Sequence, residues 1–331
     1  MPMVKRISAL FFPAILVPAV AMFCLNCGAH KSGAGADGHA FTYSNPIVDR
    51  YLADPFILHR PPWYYMYATG RALDGRFIQI YRSSDLVTWE LVRGAVTRGV
   101  ENAWNRKNFW APEVMEIDGI YHLYYTASTD GTPANTGNRV GLAVSDSPGG
   151  PFEDRGVVVP HASLDGSPFR DTDGTLYLYY TIEHGNSDGL IAGRIYVDRL
   201  VSPEEVAGDP VPLITHHGWQ EGPCVILRNG IYYLTYSTGN WKDETYRVRW
   251  ATGKSATGPF KEQGTLMEST AEVRGPGHHS IFTGPGGQDW MVYHGWDPEF
   301  TARYPRIDPL HVDRNGLSVN GPTTGQQTFR F

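Results

Sequence analysis

"DGSPFRDTDGTLYLYYT" (residues 165–181) puts a carboxylate first, then a turn-rich patch, then a strand of alternating aromatic and aliphatic side chains. An acidic residue just ahead of a strand so suited to burial needs a reason, and the chain repeats the arrangement. Asp54-Pro55-Phe56 leads to "WYYMYAT", Glu113-Val114 to "IYHLYYTAS", Glu221-Gly222-Pro223 to "IYYLTYS" and Gly277-His278 to "DWMVYHG". Taking 54, 113, 165, 221 and 278 as the leading positions, the separations are 59, 52, 56 and 57 residues. A second element, strand-turn-strand, recurs within the units as "YRSSDLVTWE", "AVSDSPGGPFED" and "WATGKSATGPFKE". Each unit therefore offers about four short strands, and near-constant periods of this size mark stacked units.

A four-stranded antiparallel sheet cannot bury both faces alone, whereas a radial array of such sheets can. The expectation is an all-β five-bladed propeller over residues 41–331. A pair of sandwiches is the alternative, and five matched units argue against it. Composition agrees. Hydrophobic residues make up 41% of the 331, aromatics 13%, and 37 Gly with 24 Pro suit many short strands and tight turns. A net charge of -6 without a long basic run gives no electrostatic support for a nucleic-acid or membrane-surface partner. No protein partner is evident, and a monomer is expected.

The N-terminus reads differently. Lys5 and Arg6 precede an apolar run from Ile7 to Leu25, which ends near Cys27-Gly28-Ala29, a small-x-small cleavage pattern. Residues 1–29 are expected to be an export signal and 30–40 a flexible linker, placing the protein outside the cytoplasm. An uncleaved anchor is the alternative, weakened by Pro13 and Pro18, and a lipid on Cys24 or Cys27 lacks the small residues that should precede it. Removing the leader leaves Cys224 as the only cysteine, so neither an intrachain disulfide nor a cysteine metal cluster is possible.

In a propeller the innermost strand of each blade lines the central channel, so equivalent positions at its start fall on one rim. Here they bring together Asp54, Asp165, Glu221, Glu113 and His278. Carboxylates crowded in one depression repel each other and are partly desolvated, which raises some pKa values and leaves others low. A protonated acid facing an ionised base is what glycosidic cleavage requires. Trp104, Phe109, Trp110, Trp241 and Trp296 offer faces for sugar rings, though each alone also suits blade packing.

"LADPFIL", "NFWAPEV", "SLDGSPFRDTDG", "EGPCVILRNGIYYLTYS" and "GPGHHSIF" together resemble the blade motifs of glycoside hydrolase family 43, in the same order and at matching separations. The resemblance implies a five-bladed propeller and an inverting arabinofuranosidase, endo-arabinanase or xylosidase. It implies Asp54 as general base, Glu221 as general acid and Asp165 as the third carboxylate, which tunes and orients the acid. Singly, Asp54 is a turn cap and Asp165 an Asx-turn; on three blades at one hub they read as catalytic. Trp110, Glu113 and Arg306 are the candidate substrate contacts, with Glu113 also suited to a structural hydrogen bond and Arg303 a second arginine of the same stretch, "TARYPRIDPL". The resemblance places His278 at the channel beside a calcium or other hard cation with water ligands, structural or electrostatic in role. His279 departs from the smaller polar residue that relatives often have there. No cofactor is needed for the chemistry.

The expected protein is a secreted inverting hydrolase that removes α-L-arabinofuranosyl units from arabinan or arabinose-decorated xylan of plant cell walls. Its two working carboxyls should stand roughly 6.5–9.5 Å apart to admit a water. A β-xylosidase or endo-1,5-α-L-arabinanase on the same scaffold, and a propeller that only binds polysaccharide, are the alternatives.

Overall fold

The computed structural model describes residues 39–133, 136–185, 188–215 and 218–331. The expected leader and most of the linker, residues 1–38, lie outside the described residues; the first strand begins at Ala40.

Five antiparallel sheets follow in chain order, their innermost strands being Ala53–Arg60, Lys107–Ile117, Ser163–Arg170, Gln220–Arg228 and Arg274–Thr283. Each is paired with the next strand in sequence: Trp63–Arg71, Ile120–Ser128, Leu176–Ile182, Ile231–Thr238 and Asp289–Trp296. We number these blades 1 to 5. Blade 3 carries one additional short strand, Val211–Pro212.

The second strands are nearly continuous apolar runs because both of their faces are covered. In blade 3, Tyr179 and Tyr180 are both fully buried and point opposite ways. Tyr179 packs with Leu234 and Tyr236 of blade 4, and Tyr180 with Tyr124 and Leu142 of blade 2. The same alternation gives five cores, one per blade interface, which closes the ring.

The last interface also takes in the chain's N-terminal strand. Ala40–Asn45 pairs with Gly325–Arg330, and Asn45 exchanges two hydrogen bonds with the Ile307 backbone, at 2.7 and 2.9 Å. Trp290 lies beneath this pair, fully buried, with Tyr43, Phe41 and Phe329 edge-on to it at 5.3, 5.6 and 5.2 Å. Removing the indole leaves a cavity between blades 5 and 1. Trp290→Ala is therefore expected to cost about 3–5 kcal/mol, read as a lower urea midpoint at unchanged slope. A loss under about 1 kcal/mol would show that this interface does not hold the ring closed.

Candidate active site

All five innermost strands break register at an equivalent place, between residues 53/56, 110/113, 164/167, 221/224 and 277/280, and those of blades 2 and 5 also break just before it, between 107/110 and 274/277. The residue after the break's first member is left-handed in every blade: Asp54 (φ 52), Ala111 (φ 46), Asp165 (φ 61), Gly222 (φ 55) and His278 (φ 44). A bulge of this kind re-aims side chains at a sheet edge. Four of the five lack glycine's freedom, and such positions cost on the order of 1–3 kcal/mol unless the surroundings compensate.

The bulges correct the sequence alignment of the repeats. The equivalent positions are 54, 111, 165, 222 and 278, separated by 57, 54, 57 and 56 residues. Glu221 stands one residue before the left-handed position of its blade, and Glu113 two residues after. Glu113 is consequently not among the cavity-lining residues. It sits deeper along the channel, near Ser167, Asp165 and His278, where burial pushes its carboxyl up to about 8 against the opposing pull of Ser167 and His278.

A cavity of about 430 Å³ opens at the rim, with lining residues from all five blades. Asp54, Asp165, Glu221 and His278 line it together, so the convergence expected of the hub residues is present. Asp54 Oδ2 accepts from the Thr69 hydroxyl at 2.6 Å, and Oδ1 lies 3.5 Å from His278 Nδ1 and 3.7 Å from Arg303 Nη1. Burial alone would raise this carboxyl, but His278, His294 and Arg303 around it outweigh that and hold it well below the usual carboxylate range.

Asp165 Oδ2 accepts the Gly222 amide at 2.9 Å and stands 4.0 Å from His278 Nδ1. Burial pushes Asp165 up to about 7; His278 opposes this, while Glu221 and Asp54 add to it. His278, surrounded by Asp54, Asp165, Glu221 and Glu113, is raised above an ordinary histidine despite its burial. Glu221 is held at both oxygens, Oε2 by the Trp219 indole and Oε1 by the Tyr246 hydroxyl, each at 2.6 Å. The site therefore contains one carboxylate kept ionised, Asp54, and, across His278, a second, Asp165, whose burial favours its protonated form.

Of the two arginines, Arg303 lines the cavity, its guanidinium 4.6 Å from the Trp241 ring and its Nε and Nη2 bonded to the Tyr51 hydroxyl. Arg306, the preferred choice from sequence, is buried within blade 5 and donates to the Thr323 carbonyl at 3.2 Å. Three residues apart on one strand, the two side chains leave opposite faces. Trp110 and Trp241 line the cavity as expected. Trp104 instead packs on Tyr125, Phe109 stacks on Phe77, and Trp296 donates to the Trp241 carbonyl from behind.

Among the described residues, no group of three or more His, Cys, Asp or Glu side chains is placed to hold a metal ion. His278 Nδ1 is turned to Asp54 and Asp165, and the cation expected beside it, ligated by water, needs no such group.

The sequence profile described as "Glycosyl hydrolases family 43" matches residues 43–318. The chain belongs to this family. It is 32% identical over 304 residues to the beta-D-galactofuranosidase xynD of Aspergillus niger, covering 83% of this chain and 84% of that one. With the extracellular endo-alpha-(1->5)-L-arabinanase 1 of Bacillus subtilis it shares 27% identity over 297 residues, 81% of this chain and 89% of the relative. A thermostable family-43 glycoside hydrolase of known structure superposes with a TM-score of 0.76 at 30% identity, covering 85% of this chain and 97% of that one. The protein is a glycoside hydrolase.

Several side chains that shape this family 43 site escaped the sequence reading. Trp219 precedes Glu221 by two, so strand alternation could have placed both on one side. Tyr246 and Thr69 carry no such signal, because they meet Glu221 and Asp54 only through the folded sheets.

Proposed function

We propose that the protein hydrolyses terminal α-L-arabinofuranosyl linkages with inversion, using Asp54 as general base, Glu221 as general acid and Asp165 to orient and tune the acid. The observation that carries the assignment is the electrostatic division of the hub. Asp54 is held ionised by His278 and Arg303, so it can take a proton from water. Across His278, burial raises Asp165 to about 7, with the charge of Glu221 adding to it, and Glu221 lines the same cavity with both oxygens held. The Tyr246 hydroxyl at Glu221 Oε1 can donate to the ionised acid or accept from the protonated one, which lets it stay in place through the cycle.

In the reaction, water attacks the anomeric carbon from the Asp54 side and gives its proton to that carboxylate. The glycosidic C–O bond breaks as Glu221 protonates the departing oxygen. The Arg303 fork, fixed by Tyr51 and Trp241, offers donors to sugar hydroxyls, and Trp110, Trp219 and Trp241 offer apolar faces.

A furanosyl substrate is favoured by two relatives whose names specify furanosides, a beta-D-galactofuranosidase and an extracellular exo-alpha-(1->5)-L-arabinofuranosidase. The rings of α-L-arabinofuranose and β-D-galactofuranose have the same configuration and differ in the exocyclic group.

A proton NMR time course on linear α-1,5-arabino-oligosaccharides tests this. The expected first monosaccharide is β-arabinose, formed alone. Early short oligomers would mean endo cleavage, and initial α-arabinose would mean retention. Hydrolysis of xylo-oligosaccharides in place of arabino-oligosaccharides would make the protein a β-xylosidase.

A further inference from the structure

The rim is held together by a ring of hydrogen bonds between blades. Opposite the residue that precedes each left-handed position stands a second-strand side chain: Thr69, Thr126, Thr181, Ser237 and His294 in blades 1 to 5. In four blades it reaches across to accept the backbone N–H of the left-handed residue of the next blade. Thr69 takes the Ala111 amide at 2.9 Å, Thr126 that of Asp165 at 3.0 Å, and Ser237 that of His278 at 2.8 Å. His294 Nδ1 takes the Asp54 amide at 3.1 Å, closing the ring from blade 5 to blade 1. From blade 3 to blade 4 the pattern is broken. Gly222 donates to Asp165, and the Thr181 hydroxyl is buried without a partner among the described residues.

The two departures from a hydroxyl acceptor thus fall under the two working carboxylates, Asp54 and the Glu221–Gly222 bulge. At Glu221 the acceptor is Asp165, already part of the site. At Asp54 it is a histidine that lies outside the cavity lining and is fully buried. A backbone amide always donates, so this bond takes the Nδ1 lone pair and puts the ring proton on Nε2, which is buried without a partner among the described residues. The same Nδ1 is 3.3 Å from Asp54 Oδ1. With its lone pair committed to the amide it has no proton for that oxygen. Asp54 must then take its donors from Thr69, His278 and Arg303, on its other sides. Burial keeps the imidazole neutral, lowering it to about 4. The ring also stacks parallel to Tyr246, centroids 5.9 Å apart, the residue that holds Glu221.

We propose that His294 is a positioning residue for the general base: its unprotonated Nδ1 holds the Asp54 amide and thereby fixes the left-handed turn that aims the carboxylate into the cavity. The inference rests on Asp54 being the base. A hydroxyl suffices for the equivalent bond in blades 1, 2 and 4, so the acceptor, and not the imidazole's charge, is what the position requires.

The test compares His294→Thr with His294→Val, which leave the same space beside Tyr246 and differ in the acceptor. With the 4-nitrophenyl glycoside that the wild-type enzyme cleaves best, His294→Thr is expected to keep kcat within about tenfold of wild type, since the hydroxyl can replace the lost acceptor. His294→Val should fall about tenfold or more below it, as expected when a buried amide is left unpaired, with KM alike in the two. Equal kcat values, or a difference confined to KM, would overturn the proposal. If the Val variant does not fold, the ring nitrogens of His294 in ¹⁵N-histidine-labelled wild-type protein decide. Nδ1 bare and Nε2 protonated at neutral pH is expected, and a protonated Nδ1 overturns it. Asp54→Asn separates the two ideas. If that variant keeps over about a tenth of activity, far above the loss expected on removing a general base, the base assignment fails and this inference with it. If it is inactive while Thr and Val behave alike, only the role of His294 is lost.

Discussion

Glu221→Gln is expected to lower kcat on arabino-oligosaccharides by about 10²–10⁴-fold, the usual contribution of a positioned proton donor. The variant should fold, because glutamine can keep both of the glutamate's contacts. Its carbonyl oxygen accepts from the Trp219 indole, and its NH₂ meets the Tyr246 hydroxyl, which can turn to accept. What glutamine cannot do is give a proton to the departing oxygen. The loss should therefore depend on the leaving group. On a 4-nitrophenyl arabinoside, whose phenolate leaves without protonation, the deficit should shrink at least tenfold relative to the oligosaccharide. An equal loss on both substrates would remove Glu221 from the role of acid.

Asp54→Asn should lose a similar factor, about 10²–10⁴-fold, but with the opposite dependence on substrate. Water must be deprotonated whatever group departs, so the aryl glycoside should gain nothing over the oligosaccharide. Asparagine can still accept from Thr69 through its carbonyl oxygen, and the backbone amide still has His294, so the turn should survive. The neighbours of Asp54 will respond, however. His278 is raised chiefly by Asp54 and Asp165 against its burial; without the Asp54 charge it should lose its proton at lower pH than in the wild type. An NMR titration of His278 reads that shift directly. An unchanged His278 titration, or a rate near wild type, would show that Asp54 is not the anion at the centre of the site.

Much of this site was legible before any coordinates. "LADPFIL" and "EGPCVILRNGIYYLTYS" place Asp54 and Glu221 at the heads of repeated strands, and repetition with antiparallel closure is enough to bring them to one rim. The offset of Glu113 was not legible. Aligning the repeats by acidic character matched it with Asp54, whereas the backbone aligns Ala111 there. A bulge depends on backbone conformation, and Asp, Ala, Gly and His all occupy the left-handed position in this one protein. Nor does the sequence separate Arg303 from Arg306, because the strand's phase relative to the cavity is fixed by the pairing of Trp296 with Arg303.

The residues Thr69, Thr126, Thr181, Ser237 and His294 recur at spacings of 57, 55, 56 and 57 residues, so the periodicity of the fifth position was visible in the sequence, although Gly295 takes its place when the quoted strands are aligned letter by letter. Its partner was not, since His294 and Asp54 are 240 residues apart. By itself, then, the sequence determined the strands, their number and the two carboxylates, because alternation and repetition are local properties that each unit carries independently. Only the tertiary structure decided which blade's side chain reaches into its neighbour, which arginine faces the cavity and which residue turns at each bulge. Those depend on register between strands and on the closing of the last blade against the first, contacts that exist only when the whole ring is formed.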